Sequence, residues 1–81
     1  MTTEAPLDLV AGCVALWREL LDRDDVDADS NFFAEGGRSV LAARLVSKAR
    51  ALTGTRVGLK VLIAAPTPRQ FAAELAAAAA D

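Results

Sequence analysis

The sequence contains no histidine, a single cysteine and only four aromatic residues, and each shortage removes a class of chemistry. Without histidine there is no Ser-His or Cys-His nucleophile pair, and the commonest metal ligand is missing. A reactive serine in this chain has no obvious base of its own. Cys13 alone can form neither an internal disulfide nor a cysteine metal cluster. It falls on a helical apolar face, where it is expected to be a small buried hydrophobe rather than a reactive thiol. No run resembles a membrane span, because charged residues interrupt every apolar stretch except the short alanine-rich tail. The first residues lack a basic region followed by an apolar segment, so no signal peptide is expected and the predicted location is cytoplasmic. No glycine-rich loop has nucleotide-binding spacing. The basic residues also lack the interleaved aromatics of a single-strand nucleic-acid platform.

What remains is a chain of 81 residues, 53% hydrophobic and rich in alanine, which suits one close-packed helical domain over residues 1–81. Leu7, Val10, Cys13, Val14, Trp17, Leu20 and Leu21 recur at helical spacing and predict an amphipathic helix from about Leu7 to Leu21. Pro6 suits its first turn, and Trp17 is expected to span the core. A second helix is expected from Ser39 to about Leu52, with Val40, Leu41, Ala42, Leu45, Val46, Ala49 and Leu52 as its apolar positions. Gly54 is the natural left-handed C-terminal cap for it. Leu59 to Ile63 is short and apolar; with no partner strand elsewhere it reads as a short helix. Thr67-Pro68-Arg69-Gln70 is a helix start, with Thr67 as N-cap, Pro68 at the first position and Gln70 closing a capping box. Phe71 and Leu75 then place large apolar groups on one face. The predicted fold is all-α: a small bundle of three main helices plus one short helix, with a long loop between the first and second main helices.

That loop carries the chemistry. Arg23 to Ser30 is polar and rich in aspartate, but Asp25-Val26-Asp27-Ala28-Asp29 lacks the glycine and terminal glutamate of a calcium loop. It reads as a solvated loop pinned to the bundle by Val26, Phe32 and Phe33, and no metal site is expected. Asn31-Phe32-Phe33-Ala34-Glu35-Gly36-Gly37-Arg38-Ser39 follows. Gly36 and Gly37 leave the approach to Ser39 open. Ser39 is a strong N-cap type, expected at the helix start with its hydroxyl at the surface. A phosphate there would meet free N–H groups and the positive end of the helix dipole.

Net charge is only −2, yet the charges are segregated. Glu19, Asp22, Asp24, Asp25, Asp27, Asp29 and Glu35 surround Arg23 alone. No acid lies between Gly36 and Gln70, where Arg38, Arg44, Lys48, Arg50, Arg56, Lys60 and Arg69 occur. This predicts a basic surface around Ser39 beside an acidic loop, a pattern that biases partner choice.

Asn31 to Ala42 resembles the pattern Asn-Phe-Phe-x-x-Gly-Gly-x-Ser-Leu-x-Ala of peptidyl carrier (thiolation) domains of non-ribosomal peptide synthesis. The resemblance extends upstream to Trp17, Leu20 and Leu21. Downstream it takes in Ala43 to Leu45, Ala65-Pro66-Thr67 and Phe71-Ala72, so it covers nearly the whole chain. It implies that Ser39 carries 4′-phosphopantetheine, attached from coenzyme A by a separate transferase in a magnesium-dependent step. The transferase then supplies the base that this chain lacks. It further implies aminoacyl or peptidyl cargo held as a thioester and presented to adenylation, condensation and tailoring enzymes, with no catalysis by the carrier itself. Arg38 stands where the family commonly has histidine or aspartate, Val40 where it has leucine, and Ile63 where it has a large aromatic. A free-standing monomeric carrier is expected, with neither nucleic acid nor membrane as partner. The alternatives are an aryl or acyl carrier of a polyketide or hybrid pathway, or a non-covalent helical interaction module. Fatty-acid carriers show Asp-Ser-Leu at the site and an acidic second helix, which this chain does not. Partners are expected to dock on Arg38, Val40, Leu41, Arg44 and Lys48, with one of Val40 and Leu41 exposed and the other entering the core.

Overall fold

The computed structural model describes residues 7–80. Helices α1 (Leu7–Leu21), α2 (Ser39–Thr53), α3 (Leu59–Ala64) and α4 (Pro68–Ala80) follow in order, with no strand among the described residues. The assignment of Pro6 to the first turn of α1 lies outside the described residues.

α1 buries Cys13, Leu16, Trp17 and Leu20. Two positions depart from the expected face: Leu16 is buried, whereas Leu7 is exposed. At about 100° per residue, Leu16 falls beside Cys13 and Leu20, while Leu7 lies more than about 90° from the middle of that stripe. The same geometry sorts α2. Ala42, Leu45, Val46 and Ala49 are buried, Leu41 packs partly against them, and Val40 points away.

The helix ends follow local chemistry. Asp22, just past α1, takes the left-handed conformation (φ 55°), and the Arg23 N–H closes the turn on the Arg18 carbonyl at 3.1 Å. Gly54 caps α2 as expected (φ 68°), donating its N–H to the Arg50 carbonyl at 2.8 Å. Leu59 to Ala64 forms the short helix expected there. Thr67 caps α4: its Oγ1 accepts the Gln70 N–H at 3.2 Å, and its carbonyl accepts the Phe71 N–H at 2.8 Å.

α1 packs against both α2 and α4, and α3 touches α2 and α4. The core is aromatic at its centre. Trp17 meets the Phe32 ring edge-on at 5.5 Å and the Phe71 ring at 5.7 Å, and all three side chains are fully buried. Leu45, Leu62, Leu75 and Val26 complete it. Trp17, Phe32 and Leu45 thus share one core, as the pattern predicts. Phe32 comes from the α1–α2 loop, so the loop is part of the core.

Candidate functional site

Between α1 and α2 the chain is anchored at both backbone and side chain. The Trp17 indole N–H donates to the Ser30 carbonyl at 3.1 Å. The Phe32 N–H donates to the Pro66 carbonyl at 2.8 Å, and the Arg69 N–H to the Ala28 carbonyl at 2.9 Å. The first bond ties the loop to α1, and the other two tie it to the α3–α4 turn and the start of α4. Asp25, Asp27 and Asp29 have structural partners of their own. Asp29 pairs with Arg69 at 2.9 Å, and Arg23 bridges Asp25 at 2.6 Å and Glu35 at 3.0 Å. Asp27 Oδ1 accepts the Asp29 N–H at 2.8 Å, which closes a local turn. Among the described residues, no group of three or more His, Cys, Asp or Glu side chains could hold a metal ion.

The last part of the loop is a folded unit. Asn31 Oδ1 accepts the N–H groups of Phe33 and Ala34, both at 3.0 Å, and the Asn31 carbonyl accepts the Glu35 N–H at 3.0 Å. Gly36 has φ +106°, a region that side chains rarely adopt. Gly37 donates to the Phe32 carbonyl at 2.8 Å. A Cβ on Gly37 would lie 2.3 Å from two Phe32 ring carbons and 2.6 Å from the Phe32 carbonyl oxygen. The two glycines therefore have different causes: backbone conformation at Gly36, and close approach to a core aromatic at Gly37. Phe33 departs from the expectation. It is 38% exposed and lies edge-on against Phe32, with ring centres 5.6 Å apart, so Val26 and Phe32 anchor the loop while Phe33 covers it.

Ser39 emerges from this unit, one position away from where residue preference puts it. The N-cap is Arg38, with extended backbone (φ −112°, ψ 172°), because the Arg38 carbonyl accepts the first helical bond, from the Ala42 N–H at 2.8 Å. Ser39 is the first residue of α2 and is exposed. Its hydroxyl is thus not consumed as a cap and stands free at the positive end of a helix dipole. Arg38 makes no side-chain cap hydrogen bond, and the first turn of α2 has no acidic residue. The residues present fit a covalently attached phosphate: an exposed serine, first-turn N–H groups with no intrahelical acceptor, and no acid in that turn.

Around Ser39 the structure sorts the expected contact residues. Arg38, Val40 and Arg44 are exposed, Val40 at 65%, while Leu41 packs partly against the core. Lys48 pairs with Glu19 of α1, an acid remote in sequence but adjacent in space. Sequence reasoning assigned no face to α3. Its Leu59 (41% exposed) and Ile63 (59% exposed) are four residues apart and share a side, while Leu62 between them in sequence is buried. That spacing was the available signal. Among the described residues, the exposed large hydrophobics are Leu7, Phe33, Val40, Leu52, Leu59 and Ile63, so most lie on the loop, α2 and α3.

Burial pushes the Cys13 thiol up to about 11, and Cys13 is 1% exposed. The hydrogen bond from Arg23 holds the Asp25 carboxyl below its ordinary value, and that from Arg69 does the same for Asp29.

Comparison with known proteins agrees with this geometry. A family model described as "Phosphopantetheine attachment site" matches residues 14–75. Malpinin synthetase of Mortierella alpina is 39% identical over 75 residues, which is 91% of this chain and 1% of that protein. The chain spans 1% to 7% of the length of curated relatives such as this one. Among solved structures, a "Non Ribosomal PCP domain" superposes with a TM-score of 0.74 at 36% identity, covering 89% of this chain and 92% of the other. A structure of the phosphopantetheine transferase Sfp in complex with coenzyme A and a peptidyl carrier protein matches with a TM-score of 0.82 at 26% identity, covering 90% and 96%.

Proposed function

The chain belongs to the phosphopantetheine attachment-site family, and on that premise we propose that Ser39 carries the 4′-phosphopantetheine arm of a peptidyl carrier in non-ribosomal peptide synthesis. The domain is a non-catalytic carrier, similar to the peptidyl carrier domains of peptide synthetases. The observation that supports Ser39 most is its placement: an exposed hydroxyl on the first residue of α2, directly after a turn locked onto Phe32.

When bound, the arm's terminal thiol holds an acyl group as a thioester. The protein's own residues act before and around that chemistry. Ser39 Oγ attacks the β-phosphorus of coenzyme A, forming the P–O bond. The bond to the bridging oxygen breaks, adenosine 3′,5′-bisphosphate leaves, and the serine proton passes to a base of the transferase. Gly36 and Gly37 keep the approach low, and the Phe32 anchor keeps Ser39 in one place. Arg38, Val40 and Arg44 form the docking surface, with Leu41 beneath it and Lys48 at its margin beside Glu19. The exposed pair Leu59 and Ile63, on the α3 helix that packs against α2, is a further apolar contact for partners in this reading. An acidic rim on partner enzymes is expected, giving a salt-sensitive encounter. Adenylation, condensation and tailoring enzymes are the proposed partners beyond the transferase. No described helix is long and apolar enough to cross a membrane, and the dependence on coenzyme A makes the cytoplasm the proposed compartment.

The test is intact mass spectrometry after incubation with coenzyme A and Sfp. One phosphopantetheine mass is expected on the wild type. A wild-type mass that never changes would remove the covalent reading and leave a non-covalent interaction module.

A further inference from the structure

The far end of α2 carries charge that the fold leaves unanswered. An open hollow of about 390 Å³ lies there, lined by Arg50, Gly54, Thr55 and Arg56. Arg50 is about 16 Å along the helix from Ser39, so the hollow lies beyond the surface built on Arg38, Val40 and Arg44.

Helix geometry accounts for part of this charge. Arg50 stands in the last turn of α2, where a cation offsets the negative end of the helix dipole. Its Nε–H donates to the Val57 carbonyl at 2.7 Å. That bond ties the guanidinium to the α2–α3 loop and leaves its two terminal nitrogens without a hydrogen-bond partner among the described residues. Arg56 has no such role. It lies in the loop, is exposed, and makes no side-chain hydrogen bond or ion pair among the described residues. The acceptors nearby are already engaged. The Arg50 carbonyl accepts the Gly54 N–H at 2.8 Å, the Ala49 carbonyl the Thr53 hydroxyl at 2.7 Å, and the Thr53 carbonyl the Thr55 hydroxyl at 3.4 Å. No acid lies between Gly36 and Gln70, and Glu19, Asp25, Asp29 and Glu35 pair with other bases. The hollow therefore offers two guanidiniums, with the neighbouring carbonyls taken.

We propose that this hollow takes an acidic segment of a partner protein, whose side-chain carboxylates seat against Arg50 and Arg56. A guanidinium tethered through Nε presents paired N–H donors that match the two oxygens of a carboxylate. A single free anion at so open a site stays hydrated and screened. Successive carboxylates on one chain engage both cations together, each raising the effective concentration of the next. The proposal needs no arm on Ser39, so it is tested on unmodified protein and its failure is separate from a failure of the attachment reading.

The probe is a capped hexaglutamate peptide, titrated into isotope-labelled protein at low salt and followed by amide and arginine Nε–H resonances. Saturable shifts are expected at Gly54 to Val57 and at the Arg50 Nε–H, and they should weaken steeply in high salt. Arg56→Gln, at an exposed side chain that bonds to nothing described, should keep the spectrum of the core and weaken the peptide about fivefold at these resonances. Arg50→Lys keeps the charge but loses the fork, and should also bind more weakly. Inorganic phosphate at equal charge should produce smaller shifts with a higher midpoint. Peptide shifts confined to the start of α2 would overturn the proposal, as would an Arg56→Gln titration equal to the wild type. Phosphate that matches the peptide in shift and midpoint would reduce the hollow to a small-anion site and overturn it equally.

Discussion

Ser39 was expected to act as a cap as well as an attachment point, and that dual role carries a stability cost of about 1 kcal/mol for Ser39→Ala. The structure separates the two roles. Because the Arg38 carbonyl starts the helix and Ser39 is its exposed first residue, Ser39→Ala should change stability by no more than about 0.5 kcal/mol while abolishing modification; denaturant melts of the two proteins check this. Gly37 behaves oppositely. Its missing Cβ is space that the Phe32 ring occupies at 2.3 Å, so Gly37→Ala should cost about 1–3 kcal/mol. In a Phe32→Leu background the penalty should be smaller, and a double-mutant cycle with zero coupling would separate the two positions energetically. Cys13 was legible from the start as a buried hydrophobe, and the structure adds a thiol pushed up to about 11 by burial. Native apo protein should therefore not react with a disulfide reagent at neutral pH. Modified protein should show one fast-reacting thiol, that of the arm, and a fast thiol in the apo protein would contradict the burial of Cys13.

At the scale of helices and loops, α1 ends on strain that can be relieved. Asp22 holds φ 55°, a conformation natural to glycine and unfavourable for other residues. Asp22→Gly should raise stability by about 0.5 kcal/mol, seen as a higher denaturant midpoint at unchanged slope. The loop that follows is held partly by carboxylates. Asp25 and Asp29 sit below their ordinary value of 3.8 through hydrogen bonds from Arg23 and Arg69. Their folded values are depressed, so the stability they contribute is present above 3.8 and is lost as pH falls through the lower folded values. The double variant Asp25→Asn, Asp29→Asn should show a flatter acid limb in a melt series than wild type; identical limbs would show both pairs to be energetically idle. The helices themselves were readable because period, capping residues and glycine stops agreed, as at Thr67, Gln70 and Gly54. The faces were less so. Leu7 and Leu52 are exposed although they recur at apolar positions, and Leu16 is buried although it stands outside that recurring set, because a helix is sorted by the angle it presents to its neighbours. The one-residue displacement of the α2 cap has a similar origin: residue preference marks serine, but the packing of Gly37 on Phe32 decides where the chain turns helical.

Taken whole, the molecule joins an acidic loop to a basic helix, and composition showed the segregation without showing who pairs with whom. Tertiary packing brings Glu19 to Lys48 and Asp29 to Arg69 across long sequence separations, so part of the basic surface is internally neutralised. Arg44 is the cleaner probe of docking, since Lys48→Glu would also set two acids side by side. Arg44→Glu should slow transfer by Sfp at low salt and approach the wild-type rate at high salt; equal rates under both conditions would remove Arg44 from the surface. The central claim is that one serine, at one place in the fold, carries the arm. The chain has three serines, and cleavage after arginine and lysine puts each on its own peptide: Ser30 on 24–38, Ser39 on 39–44 and Ser47 on 45–48. Peptide mass mapping of the Sfp-modified protein should place the phosphopantetheine mass on residues 39–44 alone, with none on Ser39→Ala; the mass on either other peptide, or on the Ser39→Ala protein, would contradict the account.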